Sequence, residues 1–155
     1  MSHQTVQTCA FVTVTDLELL ARAVSAIQVP HLNTRLVLDR EKTSARYYGT
    51  RQDDDCFAVI TYGRPLTPSE QQSNYEIGVK KKSRDINGVP TTVYDLMADI
   101  NASDRTMQDK IASVFEEYQI AVVTDAARNN GAIEVEELFD DVPEGYRKIR
   151  VVAEN

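Results

Sequence analysis

Along residues 4–14, "QTVQTCAFVTV", Val6, Ala10, Val12 and Val14 fall on one parity, with Cys9 and Phe11 on the other. That alternation predicts a strand with one strongly apolar face and a second face partly covered. Thr15 follows, with Glu18 three residues on, the spacing of a capping box. Leu17, Leu20, Ala21, Val24 and Ile27 then recur at helical spacing, and Pro30 ends the pattern because the residue before a proline disfavours helix. Three strands are expected next, at 34–39 ("TRLVLD"), 45–50 ("ARYYGT") and 56–62 ("CFAVITY"). Residues 63–73, with two prolines and many polar side chains, read as a long exposed loop. Alternation returns at 74–80 ("NYEIGVK") and at 91–97 ("TTVYDLM"), an antiparallel pair joined through the tight-turn dipeptide Asn87-Gly88.

A second helix is expected from Ser103 or Asp104 to Arg128. Ile111, Val114, Phe115, Tyr118, Val122 and Ala126 share one face, with Asp125 near its edge. Asn129-Asn130-Gly131 suits a left-handed cap. The chain closes on two strand-like stretches, 132–138 and 146–152, whose Glu134 and Glu136 oppose Lys148 and Arg150 in charge. No internal repeat or domain boundary interrupts the 155 residues. The reading is a single α+β domain over residues 1–155: a mainly antiparallel sheet with two helices on one face, a ferredoxin-like arrangement, plus a C-terminal hairpin.

Composition narrows the function classes. A 42% hydrophobic fraction suits a folded domain. The net charge of -7 disfavours nucleic-acid and anionic-membrane binding, which want a basic surface. No apolar run approaches the length of a membrane span, and the start "MSHQTVQTCA" lacks the pattern of a signal peptide, so a cytoplasmic location is expected. The two cysteines, Cys9 and Cys56, are expected as reduced thiols in strands.

Several stretches resemble a known family. "TDLELLARAV", "YEIGV", "VYDLMAD", "YQIAVVTDAARNNG" and "YRKIRVV" stand in the order of the hypothetical chloroplast reading frame thirty-five family, uncharacterised proteins of plastids, bacteria and bacteriophages. The helix carries the best of the likeness, in Tyr118, Val122, Ala126 and Gly131; residues 30–70 match poorly. Family members often bear tryptophans after the "AD" pair, where this chain has Ile100-Asn101. The resemblance implies a small α+β domain of bacterial, plastid or phage origin, in the host cytoplasm if phage-encoded. It implies no established activity. By the same resemblance, some bacterial and phage members are encoded near AAA-type ATPases, which makes an adaptor or assembly role an expectation.

Candidate chemistry is sparse. His3, Cys9, His31 and Cys56 lack metal-ligand spacing, so no metal or cofactor is expected. No nucleophile elbow and no phosphate-cradling glycine pattern is present. Asp53-Asp54-Asp55 could hold a hard cation, but a solvated turn is the expectation. The run Lys80-Lys81-Lys82-Ser83-Arg84, with Tyr75 and Tyr94 nearby, could meet phosphate or an acidic partner; the same lysines could simply block a sheet edge. Arg64, in the proline loop, is a further contact candidate. The chain reads as a non-catalytic binding or adaptor protein with a protein partner. The alternative is a small-molecule or nucleotide-binding protein, its pocket between the subunits of a homo-oligomer. A third reading, an enzyme working through Cys56 or Asp54, has no signature behind it.

Overall fold

Asp16 starts the first helix. Its carboxylate accepts from the Leu19 amide at 3.1 Å, and α1 runs over Leu17–Ser25. The computed structural model describes residues 13–99, 105–140 and 148–153. The strand expected at 4–14 therefore lies outside the described residues except for Thr13 and Val14, which are not strand. The capping box expected at Thr15 does not form: the cap is Asp16, one residue later, and its third helical position is Leu19. The Thr15 and Asp16 amides both donate to the hydroxyl of Tyr118, and Glu18 turns outward to pair with Arg40 at 2.7 Å. Helix α1 stops before Ile27, and Pro30 opens a 3-10 turn, Pro30–Leu32.

The main sheet follows. Its strands are β1 (Gln28–Val29), β2 (Thr34–Asp39), β5 (Ala58–Tyr62), β6 (Ile77–Ile86) and β7 (Val89–Met97), hydrogen-bonded in that order. Every neighbouring pair is antiparallel. These strands make an antiparallel meander, and the crossovers of a ferredoxin-like arrangement are not among the described connections. The expected strand at 45–50 is only β3 (Ala45–Arg46), because Tyr48 and Gly49 turn the chain back into β4 (Gln52–Asp53). The expected loop at 63–73 contains a short helix, α2 (Pro68–Gln71), with a complete capping box between Thr67 and Glu70.

Strand β6 is longer than the alternation at 74–80 implied. It begins at Ile77 and carries the whole basic run to Ile86. Asn87 and Gly88 both have positive φ, 53° and 80°, as the expected two-residue turn demands. The long helix α3 (Arg105–Asn129) ends before Gly131 at φ 93°; Ser103 and Asp104 lie outside the described residues. The C-terminal hairpin forms from β8 (Ala132–Leu138) and β9 (Lys148–Ala153). Its register puts Glu136 opposite Arg150, joined by an ion pair at 2.7 Å. The register sets Glu134 opposite Val152 and Lys148 opposite Leu138, so the second expected pair is not placed directly across the strands.

The core follows from strand alternation. Leu36, Ala58, Ile60, Tyr62, Ile77 and Val79 share one sheet face and one cluster with α1 (Leu20, Ala23, Val24) and α3 (Met107, Val114, Phe115, Tyr118). On the other face Val59 packs with Ala45, Cys56 and Tyr47, so the β3–β4 hairpin closes a smaller cluster there. Gly78 permits that closeness, since a Cβ on it would stand 2.8 Å from the Cys56 sulfur. The second half of α3 departs from its expected apolar face: Val122 and Ala126 are exposed. Helix α1 has nine residues and α3 has twenty-five, roughly 14 Å against 37 Å of length, so α1 covers only part of it.

Candidate functional site

The basic run is split by the strand that carries it. Successive side chains of a strand point to opposite faces. Lys80, Lys82 and Arg84 take one face of β6 and Lys81 the other. Lys80 donates to the Asp53 carboxylate at 2.7 Å and to the Asp55 carbonyl at 2.6 Å. Lys82 and Arg84 both reach Asp95 of β7, at 3.0 and 3.2 Å. Lys81 lies 5.0 Å from the centre of the Phe57 ring, which itself leans on Tyr94 at 5.9 Å. Tyr75 stands edge-on to Tyr48. The seven candidates thus do not form one surface. Arg64 bonds Leu32, Pro65 and Glu70, away from the partners of the lysines.

The aspartate run is also not a free turn. Asp53 belongs to β4, and the Lys80 hydrogen bond holds its carboxyl below the usual range. Asp54 accepts from Ser44 and Gln52. Burial first, then the Asp53 charge, pushes the Tyr47 phenol upward. Burial likewise raises the Cys56 thiol, which sits just ahead of β5 and donates to the Asp53 carbonyl at 3.4 Å. His31 meets Asn74 at 2.9 Å; His3 and Cys9 lie outside the described residues. Among the described residues no three metal-ligating side chains converge. No described helix is long and apolar enough to cross a membrane.

A different constellation lies where the chain enters β6. Glu76 is buried, its side chain 2% exposed. One carboxylate oxygen accepts from the Arg46 backbone amide at 2.8 Å, and the other accepts from the Thr61 hydroxyl. Lys42 stands 3.4 Å and the Arg46 guanidinium 3.7 Å from that second oxygen. Arg46 also donates to the Asn74 carbonyl at 2.6 Å, while its Nε is buried with no hydrogen-bond partner among the described residues. These groups line a cleft of about 450 Å³, walled by Val37, Pro65 and Leu66, with Arg64 and Gln71 also lining it.

Sequence reasoning found only Arg64 of this group. Glu76 shares parity with Gly78 and Lys80, so alternation reads it as solvent-facing. Its cover comes from Lys42 and Arg46, some thirty residues earlier, and no local spacing announces that. Comparison of the chain with protein-family models, with curated proteins and with solved structures found no match.

Proposed function

We propose that this chain is a non-catalytic binding protein that docks a protein partner along the β6–β7 arm, acting as an adaptor. The partner class is the one implied by the resemblance, an AAA-type ATPase. One observation carries the reading: β5 accompanies β6 only as far as Val79, so from Lys80 to Ile86 one edge of β6 has no strand beside it among the described residues. The two-residue turn makes Ile86 and Val89 a hydrogen-bonded pair, so residues 84, 82 and 80 bond into β7. Lys81, Ser83 and Asp85 then turn their amides and carbonyls outward, a row that an extended segment of a partner can join. The basic side chains of the arm favour an acidic segment, and salt weakens the association.

The test is capture of partners from native lysate at low and high salt, with Ser83→Pro beside the unchanged chain. Proline removes one outward N–H and leaves the β6–β7 ladder intact. Loss of one backbone hydrogen bond, about 1 kcal/mol, weakens capture roughly fivefold. Capture that ignores Ser83→Pro, or the lack of any salt-sensitive partner, sinks the reading.

A further inference from the structure

The free edge of β6 has an apolar inner end. Strand β5 begins at Ala58, and the Phe57 amide makes one further bond to β6, at the Val79 carbonyl, 2.8 Å away. Before Phe57 the chain turns aside, and the Cys56 amide bonds Thr43 instead. A strand laid beside β6 from Lys81 outward is therefore in line with β5 and abuts Phe57. The Phe57 side chain is exposed, 41% for the residue. It sits on the Lys81 face, with the ammonium 5.0 Å from the ring centre and the ring of Tyr94, the cross-strand neighbour of Lys81, at 5.9 Å. Positive charge is left over on both faces of the arm. Lys81 has no carboxylate partner among the described residues. On the opposite face Lys82 and Arg84, both about half exposed, share the single carboxylate of Asp95. Further out, Asp85 returns to the Lys81 face, where a carboxylate across from it is disfavoured.

We infer that the segment this arm takes is antiparallel to β6 and carries its chemistry in a fixed order: a carboxylate across from Arg84, a second across from Lys82, then an aromatic side chain across from Lys81, seated on Phe57. This rests on the adaptor reading and names the sequence class of its partner. Alternation accounts for the order. The positions across from 84 and 82 share the face where two cations meet one carboxylate, and the position across from 81 falls on the other face, beside the exposed ring. Antiparallel addition repeats the direction of every described pair in the sheet and the more stable ladder. In strand addition the backbone supplies affinity, and pockets for alternate side chains supply specificity. Phe57 is that pocket's floor, and the Lys81 ammonium over it meets a second ring face-on or by its edge.

The experiment follows the backbone amides of Lys81, Ser83 and Asp85 by NMR in the full chain while capped peptides are added. The probe is Thr-Thr-Glu-Thr-Glu-Phe. Its controls end in Ala, carry Lys for both Glu, or run in the reverse order. The expected result is a saturable shift with the probe and binding weaker by about tenfold with each control, the scale of a lost anchor. Phe57→Ala removes the preference for Phe over Ala at the end of the peptide and keeps the preference for Glu over Lys, a coupling that general destabilisation would not produce. Equal binding of the Ala-ended, Lys-bearing or reversed peptide overturns the inference, and so does a probe that moves none of the three amides. If Phe57→Ala does not fold, the four peptides on the unchanged chain decide it. Lysate capture that remains sensitive to Ser83→Pro after such a failure leaves the adaptor reading standing and only this sequence class wrong. Loss of both removes the reading as well.

Discussion

Tyr118 shows what a single hydroxyl contributes here. It is buried on α3, and its oxygen accepts from two amides at the start of α1, at 3.0 and 3.1 Å. The first amides of a helix have no partner within it, and burial makes an unmade bond expensive. Tyr118→Phe keeps the ring and removes the acceptor. We expect it to cost about 1–3 kcal/mol in urea unfolding, with little change in the slope of the transition. A loss below a few tenths of a kcal/mol would mean that water replaces the phenol. Glu76 is the contrasting case, a carboxylate whose place depends on donors from β3, β5 and the segment before β3. Neither role is visible in the residue's own neighbourhood in the chain. Tyr118 reads as one more apolar position of a helix, and Glu76 as a solvent-facing position of a strand.

Helix α2 is the element whose chemistry is most open to titration. Arg64 donates two hydrogen bonds to Glu70, at 3.0 and 2.7 Å, and these chiefly hold the Glu70 carboxyl down at about 2 from an ordinary 4.5. The folded chain therefore holds this proton less tightly than the unfolded chain. The pair's contribution is complete above the ordinary value and is lost as pH falls from about 4.5 toward about 2. A carboxyl carbon titration by NMR should place Glu70 at the low end of that window, and Arg64→Gln should return it toward the usual range. The start signal of this helix stands in the sequence, yet the segment reads as a loop. "TPSE" at 67–70 carries a cap, a proline at the first helical position and a glutamate at the third. The prolines drew the segment toward a loop because a four-residue helix has no apolar periodicity to announce it. Strand β2, the Asn87-Gly88 turn and the hairpin of β8 and β9 were legible, since alternation and turn chemistry are local. The extents of β3 and β6 were not. What stops β3 is a turn at Gly49, and what lengthens β6 is its pairing with β7.

At the scale of the whole molecule, the sheet is two-faced at its centre and, among the described residues, free along one edge of its arm. Face assignment explains why five basic-run positions cannot act as one patch, and edge assignment gives the arm its measurable signature. Hydrogen exchange should alternate along β6: amides of residues 82 and 84, which bond into β7, exchange slowly, and those of 81, 83 and 85, which turn outward, exchange fast. Uniform protection from 81 to 85 would show that another strand already covers this edge, and would remove the free row on which the adaptor reading stands. The phenol of Tyr118 has a bearing on biosynthesis as well. Its two hydrogen bonds span 103 and 102 residues of chain. At roughly 5–20 residues per second on the ribosome, about 5–20 s separate the synthesis of Asp16 from that of Tyr118. Through that interval the nascent α1 has neither the acceptor for its leading amides nor the α3 surface for its apolar stripe. Strand β2 follows it within a few residues, but its docking on α3 waits for the last third of the chain, so a chaperone that shields short apolar helices would find its target in this early segment.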